Sequence, residues 1–421
     1  MLRVLGSVWA LLIGMILIMI GNGMQSTLMG VRGGIEGFST SALSIITAGY
    51  FVGFLAGSRA APVMIRRVGH VRVFAALGSF MSAGLIAFPL IADPVVWTVL
   101  RVILGFCLSG VYVTAESWLN NAADNQTRGK VLSAYMIAQT LGMVTAQGLL
   151  NLADAAGFVL FVLSSILVSL SFAPILLSAS PVPVTEATRA MTLAQLYRRS
   201  PLGTVGTLLL GGVFAAQMGM AAVYGAKAGL AVGQVSAFIA AIFVGSLALQ
   251  YPIGWLSDRM DRRLLILVLG MTGAAATWAG FVSGGALPLL LGAAFLMGGM
   301  ANPLYSLLIA YTNDYLELEE MPAASSALVF IYGIGAIAGP LVTGGVMNVV
   351  GPDGFWLVLS ALFLAIAGYA AWRMTRRPAI PVEETGAYVG VLPTSSPVAV
   401  EAAQEWVIDN AEEAGEDEAD L

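Results

Sequence analysis

Stretches of about twenty or more nearly uninterrupted apolar residues recur along this chain, each long enough to cross a hydrocarbon core of about 30 Å at about 1.5 Å of helix rise per residue. They fall near residues 4–29, 41–65, 72–92, 95–119, 130–152 and 155–178, and again near 202–226, 233–257, 263–283, 286–312, 323–349 and 354–373. That pattern predicts an all-α membrane protein of twelve transmembrane helices. A membrane barrel would instead alternate apolar and polar positions over strands of about ten residues. Water-soluble domains are about a quarter charged, whereas 10% of these 421 residues are, so most of the chain has no water to face. The 49 glycines fit helices packed closely in lipid, where small residues let backbones approach.

Charge sets the direction of threading. Basic residues gather in alternate loops, at Arg66 and Arg67, Arg128 and Lys130, Arg198 and Arg199, Arg262 and Arg263, and Arg376 and Arg377. Positively charged loops stay in the cytoplasm, so both termini are expected there, with the protein in the cell inner membrane. The first apolar run shows no clear small-residue cleavage site and is expected to remain as the first helix. The longest loop between spans, residues 179–201, divides the chain into 1–178 and 202–377, six spans each. Within it, Met191 to Arg199 has the pattern of a short amphipathic helix on the membrane surface. The net charge of −5 comes from a tail, residues 378–421, rich in Glu, Asp, Ala and Pro. Its composition supplies too little apolar surface for a core, so disorder is expected, with Glu401 to Asn410 able to form a transient helix. A lone Cys107 in an apolar run excludes an internal disulfide and any cysteine cluster for metal.

The two halves repeat at a nearly constant offset. Gly105 and Tyr112 recur as Gly298 and Tyr305, and Gly142 as Gly335, all 193 positions on. Gly23-Met24 recurs as Gly219-Met220, and the loop Ile65 to Arg72 faces Ser257 to Arg263. In Gly254-Trp-Leu-Ser-Asp258-Arg259-Met-Asp261-Arg262-Arg263 the chain resembles the loop signature of the major facilitator superfamily, with Asp261 in a glycine's place. Arg67 and Gly69 keep part of the same signature in the first half. Arg101-Val-Ile-Leu-Gly105-Phe-Cys-Leu-Ser109-Gly110 is similar to the family's fourth-helix pattern, and Gly335-Ala-Ile-Ala-Gly339-Pro340 to its Gly-Pro pattern. The Gly-Pro pattern stands here in the eleventh span, where antiporters carry it in the fifth. The resemblance covers residues 1 to about 378. It implies two pseudo-symmetric six-helix bundles that rock around a central cavity, with spans 1, 4, 7 and 10 lining it. It also implies that Gly254, Asp258, Arg259, Arg262, Arg263, Arg67 and Gly69 form a conformational latch.

Ionisable groups inside a span cost about 2.5 to 3.5 kcal/mol at its centre on insertion scales, so those retained are functional candidates. Glu116 is the one acidic residue well inside a predicted span and is a candidate for proton coupling or for an inner gate. Arg101, on the same predicted helix, either draws a polarised or anionic solute or serves as a structural cation. Arg59 either snorkels outward or pairs with Glu116. Polar residues in register on their helices mark a candidate cavity lining: Asn22 and Gln25, Tyr135 and Gln139, Gln217 and Tyr224, and Asn302, Tyr305 and Ser306. His70 is expected as a solvated loop residue. No ATP-binding loop, metal-ligand spacing or nucleophile elbow is present, so no enzyme activity, cofactor, metal or nucleic-acid partner is expected. The reading that follows is secondary transport of a small amphipathic metabolite or drug-like compound, coupled to protons, by a monomer. A non-transporting member of the same fold, acting as an assembly factor or sensor, is the alternative.

Overall fold

A computed structural model describes residues 2–123, 125–177, 191–317 and 320–407. Fourteen helices precede the tail: α1 (Leu2–Ile35), α2 (Thr40–Val68), α3 (His70–Ala87), α4 (Pro94–Ala122), α5 (Asn125–Leu149), α6 (Val159–Leu177), α7 (Leu193–Arg199), α8 (Pro201–Ala215), α9 (Ala221–Lys227), α10 (Val232–Ser257), α11 (Arg262–Val282), α12 (Leu287–Asn313), α13 (Met321–Val350) and α14 (Gly354–Met374). A π-helical turn, Ala216–Met220, joins α8 to α9 into one rod. Among the described residues, ten helical segments are long and apolar enough to cross a membrane. The other two expected spans, α5 and α6, are helical over 25 and 19 residues, but α5 carries Arg128, Lys130, Gln139 and Gln147, and the apolar part of α6 is short, Val159–Pro174.

The helix ends follow from local chemistry. The Ser39 hydroxyl accepts from Ala42 N at 3.1 Å to start α2, and the Asp93 carboxylate accepts from Val95 N and Val96 N at 2.8 and 3.0 Å to start α4. Gly69, at φ +84°, ends α2 and turns the chain straight into α3, a conformation that favours glycine. The expected amphipathic segment forms as α7, with Thr192 and Gln195 making a reciprocal capping box, Leu196 buried and Tyr197, Arg198 and Arg199 facing out.

Small residues decide which helices cross closely. Gly53 and Gly57 of α2 lie against the Val102 and Phe106 carbonyls of α4, and Gly105 of α4 against the Tyr50 carbonyl, so a Cβ at any of them would strike backbone. The second half repeats this crossing: Gly245 of α10 lies against the Phe295 carbonyl of α12, and Gly298 against the Ile242 carbonyl. The sequence repeat is therefore a repeat of packing. The Gly335-to-Pro340 segment packs α13 on α8, with Gly335 against the Leu208 carbonyl and Gly339 against Gly212.

The halves meet where α1 packs on α9, α2 on α13 and α5 on α10. At the end away from the Arg66 and Arg262 loops they touch directly. Gly30 lies against Ala222 and Gly219 against Thr47, Asn348 donates to Ser41, and Lys227 reaches the Phe38 carbonyl at 3.5 Å. At the basic end the space between the halves is filled by the chain after α14. Residues 386–396 run into it without regular secondary structure, turning at Pro393 and Thr394 where Ser395 N donates to the Leu392 carbonyl at 2.9 Å, and residues 397–407 form a further helix, α15. This differs from the disorder expected of the whole tail. Val391, Ala399, Val400, Ala402 and Ala403 form an apolar stripe that is buried against the bundle, a pattern hidden by the acidic average composition. The most acidic stretch, 408–421, and the loop 178–190 lie outside the described residues.

His70 is also placed differently from expectation. It opens α3, is buried, and its ring lies 6.2 Å from that of Trp118. The tight turn at Gly69 leaves no loop for it to occupy.

Candidate functional site

Between the halves lies a narrow cavity of about 60 Å³, walled mainly by apolar and aromatic side chains, including Met19, Phe51, Phe54, Phe214, Phe243 and Val329. Four of the polar residues singled out in the sequence, Asn22, Arg101, Gln139 and Asn302, line it, joined by Tyr50, Tyr112 and Tyr332. They come from α1, α4, α5 and α12, with the tyrosines on α2, α4 and α13, so both halves contribute.

Arg101 is the chemical centre of this cavity. It is 3% exposed, its Nη1 donates to Gln25 Oε1, and its guanidinium stacks on the Tyr50 ring at 4.4 Å. No carboxylate forms an ion pair with it among the described residues. Its Nε has no partner, nor do Gln25 Nε2, both side-chain amide atoms of Gln139, or Asn302 Oδ1. Buried polar atoms ordinarily find a partner, so this cluster has unused hydrogen-bonding capacity within one wall system. A stacked guanidinium with free donors is suited to a planar or anionic group.

Glu116 lies further along α4 and does not meet Arg101. It is 1% exposed, accepts from Tyr135 Oη at 3.2 Å, and accepts the Ser396 N–H at 2.9 Å on its other oxygen. Tyr135 sits beside the cavity in a small recess shared with Gln139, Val391 and Leu392. Arg59 makes no bond to Glu116; its guanidinium lies 3.8 Å over the Phe330 ring of α13. Ser306 lies below the cavity, bonded to Gln250 at 3.2 Å and to the backbone of Val391. Tyr305 faces the Tyr332 ring at 5.1 Å, and neither hydroxyl has a partner.

Two expected lining residues, Gln217 and Tyr224, do not form part of the cavity wall, although Met218 and Gly219 beside Gln217 do. Gln217 is buried within the π turn, and Tyr224 stacks on Phe355 at 5.2 Å in an aromatic cluster with Phe238 and Trp356. The spacing of seven puts two residues on one face only in an unbroken α-helix, and the extra residue of the π turn rotates everything after it by about 100°.

In the Gly254-to-Arg263 loop, Arg262 is the residue that spans helices. It pairs with Asp314 at 2.5 Å, donates to the Ala310 carbonyl at 3.1 Å, and so ties α11 to the end of α12. Arg259 stays on its own helix, bonded to the Trp255 carbonyl and stacked on that ring at 4.3 Å. Asp258 accepts the Tyr388 N–H at 2.8 Å, Tyr388 covers Gly254, and Arg263 chelates Asp261 and reaches the Arg377 carbonyl at 2.6 Å. Arg67 is exposed and Gly69 is the turn described above. Asp314, Gln250, Tyr50, Tyr332 and the tail contacts had no motif to announce them.

Known proteins share this architecture. The family model described as Major Facilitator Superfamily matches residues 203–395, and one described as Sugar (and other) transporter matches residues 10–181. The uncharacterized MFS-type transporter YfkF of Bacillus subtilis (strain 168) is 25% identical over 342 residues, covering 79% of this chain and 87% of that protein. The uncharacterized MFS-type transporter YcaD of Salmonella typhimurium is 24% identical over 337 residues, again 79% and 87%. Among solved structures, the nucleoside transporter NupG superposes with a TM-score of 0.72 at 15% identity, over 88% of this chain and 99% of that one. A bacterial homologue of the lysosomal transporter Spinster, solved inward-facing and unoccupied, gives 0.66 at 14% identity, over 95% and 97%.

Proposed function

The chain belongs to the major facilitator superfamily, and on that premise we propose that it carries a small amphipathic organic solute with an anionic or strongly polarised group across the cell inner membrane, driven by protons. Its family makes it a membrane transporter rather than an enzyme. In the proposed arrangement α5 and α6 also cross the bilayer, giving twelve spans in the two groups 1–178 and 202–377, with the basic loops in the cytoplasm and a monomer as the working unit.

The observation that carries the substrate class is Arg101, a buried guanidinium without a carboxylate partner, facing a largely apolar cavity. An unpaired buried charge costs several kcal/mol, so a solute that brings a carboxylate or a similar group recovers that cost on binding. The apolar and aromatic walls favour a hydrophobic body over a sugar, whose hydroxyls would leave many donors unpaired. Glu116 is the candidate proton site because it can be neutral or charged, whereas arginine stays charged. Arg59, stacked on Phe330 near the same end, is assigned a gating role where α2 meets α13.

The test is thermal stabilisation of purified protein against a panel of amphipathic carboxylates, their neutral amides or esters, and sugars. Carboxylates should stabilise the parent chain and lose that effect in Arg101→Ala, and stabilisation equal for acids and amides would overturn the assignment of class. The non-transporting alternative has no observation in its favour here.

A further inference from the structure

Residues 386–407 fill the space between the halves at the basic end, and the bonds they make are specific. The Ser396 N–H donates to Glu116 on the first half at 2.9 Å. On the second half, the Tyr388 N–H donates to Asp258 at 2.8 Å, and the Ser306 hydroxyl both donates to the Val391 carbonyl and accepts its N–H, each at 2.9 Å. Nearer the mouth, further contacts hold α15: Gln404 donates to Asn313 at 2.8 Å and accepts from Ser325 at 2.5 Å, while Glu405 pairs with Arg128 at 3.4 Å. Leu392, Pro393 and Thr394 form part of the cavity wall itself, beside Arg101, Tyr112 and Asn302.

We propose that residues 386–407 are a resident plug: an intramolecular peptide ligand of the basic-end mouth of the cavity, which excludes solute and must leave before the two halves can rock. Three features support it. The segment is bonded to both halves at once, so any relative rotation breaks one set of bonds. Its buried face is apolar, with Val400 fully covered, as in a docked helix rather than a strand of chain lying on a surface. It also occupies Glu116, the proposed proton site, by a backbone N–H that a mobile tail would not present. A bound plug scales the apparent affinity for solute down to the intrinsic affinity multiplied by the fraction of molecules in which it is released. The transport consequence rests on the reading of the cavity as a solute path, but occupancy by the plug does not, and it is tested without any solute.

The experiment uses the full-length chain in membrane vesicles, with Thr140→Cys on the cavity wall as the reporter and a membrane-impermeant maleimide added to each face in turn; the buried Cys107 is the background control. The parent reporter should label slowly from the basic face. Adding Val391→Asp and Val400→Asp, which put charges on the plug's buried side, should speed labelling at least about tenfold, since modification of a covered site tracks the population of its open form. A synthetic peptide of residues 386–407 in excess should slow it again. A second arm covers failure of those variants to fold: the pair Ser306→Cys with Val391→Cys should form a disulfide under mild oxidation. Equal labelling in parent and charged variants, or no disulfide in the pair, would overturn the plug.

Discussion

Asp314→Ala removes the carboxylate of a pair whose two side chains are 2% and 3% exposed, Arg262 and Asp314, at 2.5 Å. Arg262 would retain bonds to the Ala310 carbonyl, to Ser257 at 3.2 Å and to Gly386, but the only acid left to its buried charge among the described residues would be the half-exposed Asp258 at 3.8 Å, and the Gly386 N–H would lose its acceptor at 3.2 Å. Breaking a buried pair from one side costs about 3–5 kcal/mol. Burial pushes the Asp314 carboxyl above the ordinary carboxylate range, against the pull of Arg262. The ionised pair is therefore held at a desolvation cost, and replacing both partners by apolar groups, Arg262→Met with Asp314→Leu, should restore stability to within about 1 kcal/mol of the parent. The assay is detergent-to-denaturant unfolding in mixed micelles, run as a double-mutant cycle. A single variant within about 0.5 kcal/mol of the parent, or a double variant that loses the sum of the singles, would refute the reasoning.

Asp261 lies outside the spans: burial pushes its carboxyl up, but hydrogen bonds and charge from Arg263 outweigh this and hold it below the ordinary range. A lowered carboxyl contributes stability that is complete above its unfolded value of about 3.9 and lost as pH falls through the folded value, so Asp261→Ala should cost about 1 kcal/mol at pH 7, through the cap to Arg263 N, and nothing measurable once both states are protonated. Gly105→Leu and Gly298→Leu, at equivalent crossings of the repeat, should reduce folded yield to a similar extent, as measured by monodisperse protein after extraction. A large loss in one and none in the other would break the equivalence. Arg59→Ala should change stability by about 0.5–1 kcal/mol, the worth of an exposed cation stacked on one ring, read in the same micelle assay.

Much of the scaffold was legible because lipid allows few solutions. Length and hydropathy located ten apolar helices long enough to span, and the 193-residue offset between Gly105 and Gly298 points to two crossings with matching backbone approaches. Residues that line the cavity were legible where a polar side chain stands in a regular helix, as with Asn22, Gln139 and Asn302. They were missed where partners are far apart in sequence: Arg262 and Asp314 are 52 positions apart, and nothing local links them. Gln217 and Tyr224 were assigned to one face because periodicity assumes 3.6 residues per turn, which the π turn violates. The tail was misjudged because average composition conceals a stripe such as Val391, Ala399, Val400 and Ala403, which gains order only from a groove supplied elsewhere in the fold.

Proton-coupled transport through Glu116 is tested most directly by uptake into proteoliposomes of a carboxylate that stabilises the parent chain, with and without an imposed pH gradient, in the parent and in Glu116→Gln. The account predicts gradient-driven accumulation by the parent, and in the variant retained binding with only downhill equilibration. Accumulation in Glu116→Gln equal to that of the parent would contradict it.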